Sequence, residues 1–392
     1  MQLFQIYHHR LSKLIHDDFR LFEISIWLHV FSRALIIVFI PILLINIGYE
    51  IRDIIIYLAI VHGFDIPLNF LARFLTRKLG ARIVIIFGSF ASIIYFVCFF
   101  GLKANSWLLL ILMAFSLALY DALYWVAHLY FFMKCSPNDD NVGGDTSSLD
   151  IVRRVASILA PAIGALVLIF ANQKVLIAMS IFFLALSIVP LFLIRNVDDK
   201  PSIPQLKFRE FFNSWYISKD YLSRSFFSVH DGAENIIWPI FIFTLFGSIE
   251  SVAWLPIIVS VTTIIFTYFT GRLDKQNRNT IIAIGSFMIA LIWLARLIFA
   301  NNIFYYISVF LVGLFTVLVS IPIDSNIFEK NEPRDALSAS MYRNFFGMFA
   351  RFLFYIVLFV LVDIFDISFI SAAISVFMVL AVYQFRFFKI SF

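Results

Sequence analysis

Charged side chains are scarce in this sequence. Asp, Glu, Lys and Arg make up only 14% of the 392 residues, whereas 62% are hydrophobic and 49 are phenylalanine. A soluble domain carries about 25% charged residues and needs polar surface to cover its core. This chain has too few polar side chains for that, unless lipid is its solvent. The composition therefore predicts a polytopic membrane protein with the lipid bilayer as its partner.

Cysteine is almost absent, and so are the motifs of several function classes. Cys98 and Cys135 lie far apart, which excludes a disulfide framework and a cysteine-based zinc site. We find no nucleotide-binding loop, metal-ligand cluster or nucleophile triad, so we expect no enzyme, ATP-driven pump, cofactor or metal. The basic residues recur at intervals instead of clustering, which excludes a nucleic-acid partner despite the net charge of +5.

Long apolar runs, by contrast, are abundant. A membrane-crossing helix needs about 20 mostly apolar residues, and a helix satisfies its own backbone groups inside lipid. These criteria predict an all-α membrane protein with twelve transmembrane helices. The expected spans are 21–46, 53–75, 82–101, 106–131, 150–171, 175–195, 222–247, 250–271, 279–300, 302–324, 335–362 and 366–386.

Lysine and arginine alternate between the connections. The N-terminal segment, every second connection and the C-terminal end hold 23 of them, whereas the other side has only Arg52, Lys103 and Lys174. Because basic connections stay in the cytoplasm, we expect both termini there. The short chain lacks a targeting signal before the first span, so we expect a multi-pass protein of the cell membrane, a prokaryotic inner membrane.

The longest connection divides the spans into six plus six. Equal numbers of spans on either side suggest internal duplication. We therefore expect an N-terminal six-helix bundle over 1–195, a cytoplasmic linker over 196–221 and a C-terminal six-helix bundle over 222–392.

Two corresponding connections carry related motifs. Residues 271–278 read GRLDKQNR, and six spans earlier residues 73–82 read RFLTRKLGAR. Residues 271–278 resemble the loop G-x-L-x-D-R/K-x-G-R/K-R/K of the major facilitator superfamily. The resemblance implies two pseudo-symmetric six-helix bundles that transport by alternating access, with a gating role for this loop. The positions that carry the gating motif are Gly271, Asp274, Arg278, Arg77, Gly80 and Arg82, of which Arg77 stands where the family has aspartate.

The fifth span resembles a helix-packing motif of proton-linked antiporters in that family, G-x8-G-x3-G-P-x2-G-G. Pro161 and Gly164 are kept, and small residues replace the other glycines. Small residues let helix backbones approach closely, and proline bends a helix, so ordinary packing explains the pattern as well. The resemblance implies export. The fourth-span arginine of those antiporters is absent, and Asp121 is the embedded charge there.

Ionisable groups inside the spans predict the functional site. A charge at mid-bilayer costs about 2.5–3.5 kcal/mol on insertion scales, and a carboxylic acid in a low-dielectric cavity holds its proton more tightly than in water. The stretch SVHDGAENIIW, at 228–238, places several such groups where Gly232 and Pro239 weaken the helix. The proton-coupling candidates are Glu234, Asp231, Asp121, Asp65 and His230. The substrate-cavity candidates are Arg33, His29, Trp125, His128, Asn235, Trp238, Ser320 and Arg351. A structural ion-pair network and plain aromatic packing are the alternatives. The family resemblance implies that the first, fourth, seventh and tenth spans line a central cavity.

Three functions remain open from the sequence. We expect a monomeric secondary active transporter that couples protons to the movement of a small organic solute, with efflux favoured. A uniporter or a lipid transporter of the same fold is the first alternative. A membrane receptor or assembly subunit that does not transport is the second.

Overall fold

The computed structural model describes residues 18–135, 156–157, 159–194, 205–270 and 277–384, most of them helical. The helices are α1 (Asp18–Ala34), α2 (Ile40–Ile47), α3 (Ile51–Leu79), α4 (Ala81–Gly101), α5 (Trp107–Cys135), α6 (Leu159–Phe170), α7 (Gln173–Leu193), α8 (Phe208–Phe211), α9 (Trp215–Gly232), α10 (Trp238–Phe246), α11 (Ile249–Thr270), α12 (Arg278–Ile298), α13 (Asn302–Val360) and α14 (Ile364–Gln384). A π-helical segment, Ala233–Ile237, joins α9 to α10.

These helices cross the membrane twelve times. Non-helical backbone at Asp335 divides α13 into two arms, Asn302–Asn331 and Arg334–Val360. Within the described residues, the two arms and six other helices are long and apolar enough to span a membrane alone. The interrupted pairs α1–α2 and α9–α10, with α6 and α11, complete the twelve passes, so the predicted all-α fold is confirmed. Because the number of passes is even, Asp18 and Gln384 lie on the same side of the membrane. We call this the terminal side and the other one the opposite side.

Prolines interrupt the first and seventh passes in the same way. Pro41 lies in the first turn of α2 and Pro239 in the first turn of α10. A proline has no N–H to donate, and its ring clashes with the carbonyl four residues before it. Gly48 and Gly247 end the same two helices with φ of 112° and 66°, a conformation that favours glycine. Matching breaks six passes apart are consistent with a duplicated six-helix unit.

The helix contacts repeat as well. Helix α1 packs on α7 as α9 packs on α14, and α4 packs on α5 as α12 packs on α13. Glycines allow the second pair of contacts, because a Cβ at Gly88 would lie 2.8 Å from the Tyr124 nitrogen and one at Gly285 would lie 2.7 Å from Val319. The predicted pair of pseudo-symmetric six-helix bundles is therefore present.

The connection between the bundles is partly helical. Helix α8 lies within the predicted linker, and α9 already begins at Trp215. Arg334 fastens α8 to α13 by donating to the backbone carbonyls of Glu210 and Phe211, at 3.0 and 3.4 Å. The domain boundaries at 195 and 222 stay a prediction.

Candidate functional site

A cavity of about 520 Å³ lies between the two bundles. This volume is within the range of about 300–1,000 Å³ that small-molecule sites occupy. Most of the wall is apolar and comes from the opposite-side ends of the helices, with Ile40, Pro41, Leu44, Ile54, Leu58, Pro239 and Leu255. The charged residues on the wall are Arg33, Asp121, Asp231, Glu234 and Arg351. The cavity therefore combines an apolar part towards the opposite side with a few charged side chains near mid-depth.

The seventh pass changes helix type where it borders this cavity. The amide of Trp238 bonds to the carbonyl of Ala233, five residues back, in the π-helical segment. Pro239 explains the widened turn, because its ring cannot approach the carbonyl of Asn235 as an α-helix requires. Single π-helical turns of this kind occur often at functional sites. The helix break that the sequence predicted around Glu234 takes this form.

Glu234 forms a buried ion pair with Arg296 of α12. The Arg296 Nη1 donates to Oε2 at 2.5 Å and Nη2 to Oε1 at 3.1 Å. The guanidinium also lies 3.7 Å from the centre of the Trp238 ring and 4.4 Å from that of Trp293, and its Nε donates to Ser308. Arg296 is not among the site residues predicted from the sequence. The signal was available, because it is the only charged residue in the apolar run 281–300.

Asp231 belongs to a string of alternating charges that runs from the cavity towards the terminal side. Its Oδ2 lies 3.5 Å from Arg351 and 3.1 Å from Arg224. Arg224 then lies 3.9 Å from Asp324, which Arg343 binds through two hydrogen bonds of 2.7 and 2.5 Å. Three arginines thus share two aspartates in one connected network inside the second bundle.

Arg33 and Asp121 differ from the other charges on the wall. The Arg33 Nη1 donates to Ser92 at 3.0 Å, and the guanidinium carbon lies 3.9 Å from the centre of the Tyr120 ring. Neither Arg33 nor Asp121 has an oppositely charged group within 4.0 Å among the described residues. Arg33 and Arg351 both attract Asp121 at longer range. The first bundle therefore presents a cation and an anion to the same cavity without closing them into a pair.

A second carboxyl group lies behind Asp121 at the seam between the bundles. Asp65 is fully buried; its Oδ1 accepts a 3.2 Å bond from Asn69, whereas its Oδ2 has no hydrogen-bond partner among the described residues. His62 lines the cavity one turn away, with both ring nitrogens likewise unpartnered and its ring stacked on Tyr355. Buried polar groups are nearly always hydrogen-bonded, so the unpartnered atoms of these two titratable side chains suggest exchangeable protons or water.

His230 is held by two neighbours. Trp293 donates from Nε1 to the His230 Nδ1 at 2.9 Å, and the Nε2 lies 3.2 Å from the Thr316 hydroxyl. Because an indole N–H only donates, Nδ1 must be an acceptor, which leaves the proton on Nε2 to be donated to Thr316. This arrangement holds a neutral imidazole.

The other cavity candidates fall into two groups. Trp125, Asn235 and Trp238 line the cavity. His29, His128 and Ser320 do not. His29 contacts Tyr120 through a 2.9 Å hydrogen bond, and His128 stacks on Tyr124. Both histidines are buried inside the first bundle, whereas Ser320 is only half-buried.

The fifth pass packs tightly on the interrupted first pass. A Cβ added at Gly164 would lie 1.9 Å from the Leu35 carbonyl oxygen, so only glycine permits this distance between the two backbones. Pro161 lines the cavity one turn earlier. The break between α1 and α2 and the glycine of α6 therefore occupy the same spot.

The gating-loop residues lie at the terminal side. Gly271 and Asp274 lie outside the described residues. Arg278 binds both oxygens of Glu329, at 2.9 and 3.0 Å, and Arg82 donates to the carbonyl of Ile194. Gly80 adopts φ of 93° at the turn between α3 and α4. Arg77 lies in the last turn of α3.

Polar contacts join the two bundles between the cavity and the terminal side. Asn344 donates to Asn69 at 2.8 Å, and Arg73 donates to Ser338 at 3.2 Å. Ser340 reaches the carbonyl of Val126 at 3.2 Å. The cavity is thus closed towards the terminal side. No cluster of three His, Cys, Asp or Glu side chains suited to a metal occurs among the described residues.

Comparisons with known proteins place this arrangement among membrane transporters. Residues 23–355 match the family model described as Major Facilitator Superfamily, and no curated protein matches the chain. Among solved structures, the human organic anion transporter MFSD10 (TETRAN) is 12% identical, with a TM-score of 0.66 over 94% of this chain and 99% of that one. A variant of the E. coli fucose:proton symporter FucP is 15% identical, with a TM-score of 0.68 over 95% and 99%. FucP in the outward conformation is 14% identical, with a TM-score of 0.69 over 95% and 99%. At such identities the similarity shows the fold alone.

Proposed function

Because the chain belongs to the Major Facilitator Superfamily, we propose that it is a proton-coupled secondary transporter that exports a small organic solute. Its two bundles rock about the central cavity, so that a midplane site faces each side of the membrane in turn. The position of the cavity between the bundles supports this assignment. The expected setting is a prokaryotic inner membrane, with both termini in the cytoplasm and the protein working as a monomer.

Asp121 is the proposed proton carrier, and its lack of an ion pair is the observation that carries the proposal. It lies on the cavity wall, where a proton or a substrate cation can reach it. Removing an unpaired carboxylate from water raises the free energy of its charged form, which favours proton uptake. Asp65 and His62 lie close by with unsatisfied polar atoms, so a proton can be passed on within the first bundle.

The acidic residues of the second bundle are poorer carriers. Glu234 is neutralised by Arg296 and Asp231 by Arg224, and protonating either one would leave an arginine buried without its counter-ion. His230 already accepts a hydrogen bond from Trp293 at one ring nitrogen. These groups fit a structural role in holding the second bundle together.

Competition at Asp121 provides the coupling. One carboxylate holds either a proton or a cationic group of the solute, so binding of one expels the other. Inward movement of the proton down its gradient then drives outward movement of the solute. The polar contacts on the terminal side support a conformation closed to the cytoplasm, from which the solute leaves on the opposite side.

Reconstituted vesicles provide the test. Protein is placed in proteoliposomes that contain a pH-sensitive dye, and a panel of organic cations, anions, zwitterions and neutral solutes is added. The unaltered protein should couple at least one solute to proton movement, and Asp121→Asn should abolish that coupling. Glu250→Gln, an exposed change at the start of α11, is the control and should retain it.

Two outcomes would decide against this function. Full coupling in Asp121→Asn would remove the proton role from this residue. Solute flux that ignores the pH gradient in the unaltered protein would favour a uniporter.

A further inference from the structure

We propose that the transported solute is a zwitterion with an apolar body, whose ammonium group binds Asp121 and whose carboxylate binds Arg33. This inference rests on the proposed transport function, because it assigns the solute of the same cavity.

The charge balance of the cavity wall singles out these two residues. Asp231 lies 3.1 Å from an arginine, and Glu234 is held by two hydrogen bonds from Arg296. Arg351 contacts Asp231 and also donates to the carbonyl of Ser228. Each of these three residues therefore has an oppositely charged partner within the protein. Arg33 and Asp121 have no such partner among the described residues and are left to a ligand.

The protein also keeps the two charges apart. Opposite charges in a low-dielectric space attract strongly. An arginine and an aspartate on neighbouring helices would therefore be expected to form an ion pair. Ser92 holds one N–H of Arg33, and the Tyr120 ring lies against the guanidinium plane. A guanidinium carries five N–H donors, so most of them remain available. Ser92 and Tyr120 thus hold Arg33 in a position where it forms no ion pair with Asp121.

A solute with a single charge would leave this site unbalanced. An anion bound to Arg33 would displace water from Asp121 without giving that carboxylate a new partner. A cation bound to Asp121 would likewise displace water from Arg33 without giving the guanidinium a new partner. An unpaired charge that is buried on binding weakens affinity. A zwitterion satisfies both groups together, and its ammonium group displaces the proton from Asp121 as the exchange mechanism requires.

The surroundings define the rest of the solute. Ile37 lies one turn beyond Arg33 and Leu117 one turn before Asp121, both on the opposite-side flank of the charges and both on the cavity wall. The apolar wall on the opposite side of the charges continues with Leu44, Leu58 and Val259. The solute therefore has its charges at mid-depth and its apolar body on the opposite side of them, as in an amino acid with a large hydrophobic side chain.

Three ligands with one aromatic body test the proposal by binding alone. Phenylalanine carries both charges, phenethylamine only the ammonium group and hydrocinnamate only the carboxylate. Calorimetry on the purified full-length protein should show phenylalanine binding tighter than either analogue by roughly tenfold or more, the value of one charged hydrogen bond.

Variants then assign each charge. Arg33→Gln should remove the advantage of phenylalanine over phenethylamine, and Asp121→Asn should remove its advantage over hydrocinnamate. Arg33→Lys keeps the cation, so it should retain the preference for the zwitterion and guards against a variant that simply misfolds. Glu250→Gln should leave all three affinities unchanged.

Several results would overturn the proposal: an analogue with one charge that binds as tightly as phenylalanine, no binding of any of the three, or an Arg33→Gln variant that weakens all three equally. Because these are binding measurements, they are independent of the transport assay. Zwitterion binding without proton-linked flux would refute the proposed function and leave the site assignment standing.

Discussion

Breaking the ion pair between Glu234 and Arg296 should destabilise the protein strongly. The side chain of Arg296 has no exposed surface and that of Glu234 is only 9% exposed. The guanidinium donates two hydrogen bonds to the carboxylate and one to Ser308, and it lies against the rings of Trp238 and Trp293. Glu234→Gln keeps the size of the side chain and removes its charge, which leaves the arginine buried without a counter-ion.

The size of the effect follows from this burial. Removing one member of a buried ion pair lowers the free energy of unfolding by about 3–5 kcal/mol. Replacing both members with uncharged groups is often close to neutral. We therefore expect Glu234→Gln and Arg296→Met each to be more destabilising than the double variant.

Denaturant unfolding in mixed micelles measures these free energies. The pair of Arg278 and Glu329 is the matched control, because it has similar geometry but a carboxylate side chain that is 45% exposed. Glu329→Gln should therefore change stability by only about 0–1 kcal/mol. The reasoning fails if Glu234→Gln is no more destabilising than Glu329→Gln, or if the effects of the two single variants simply add in the double variant.

Two further predictions concern backbone packing and helix capping. Gly164→Ala should lower the free energy of unfolding by about 1–3 kcal/mol, because its Cβ would collide with the Leu35 carbonyl. At Gly101 an added Cβ would meet nothing nearer than 3.8 Å, so Gly101→Ala should not lower the free energy of unfolding. Equal thermal shifts for the two variants would contradict a steric clash at Gly164. Asp335→Ala should lower the stability by about 0.5–2 kcal/mol, because Oδ1 accepts the Ser338 N–H at 3.0 Å at the start of the second arm of α13. Asp335→Asn keeps that acceptor but loses the Oδ2 that accepts from Leu206 and Ser338, so it should be intermediate in the same unfolding assay, and a loss as large as that of Asp335→Ala would contradict a contribution from the cap.

The membrane passes could be predicted because lipid imposes a local rule. Each pass needs its own run of apolar residues and satisfies its own backbone, so the information lies within about 20 consecutive residues. Even the break in the seventh pass had a local cause, since Pro239 acts on the carbonyl four residues before it. The form of the break, a π-helical turn, emerged only from the structure.

The partners of the embedded charges could not be predicted in the same way. Glu234 pairs with a residue 62 positions away, whereas spacing along one helix indicates only neighbours three or four residues apart. The arginine at 296 was visible as an isolated charge in an apolar run, but nothing in the pattern pointed it towards the seventh pass. Helix rotation and crossing decide such pairs.

The amino-acid sequence alone determined that the protein is embedded in a lipid bilayer, that it crosses the membrane twelve times and that ionisable groups lie within its membrane-spanning helices. These properties depend on composition and on neighbours along the chain. Tertiary structure decided which of those groups neutralise one another and left Arg33 and Asp121 facing the cavity. The reason is physical: a charge in a low-dielectric interior takes its character from what lies within a few ångströms, and across helices those neighbours are set by packing.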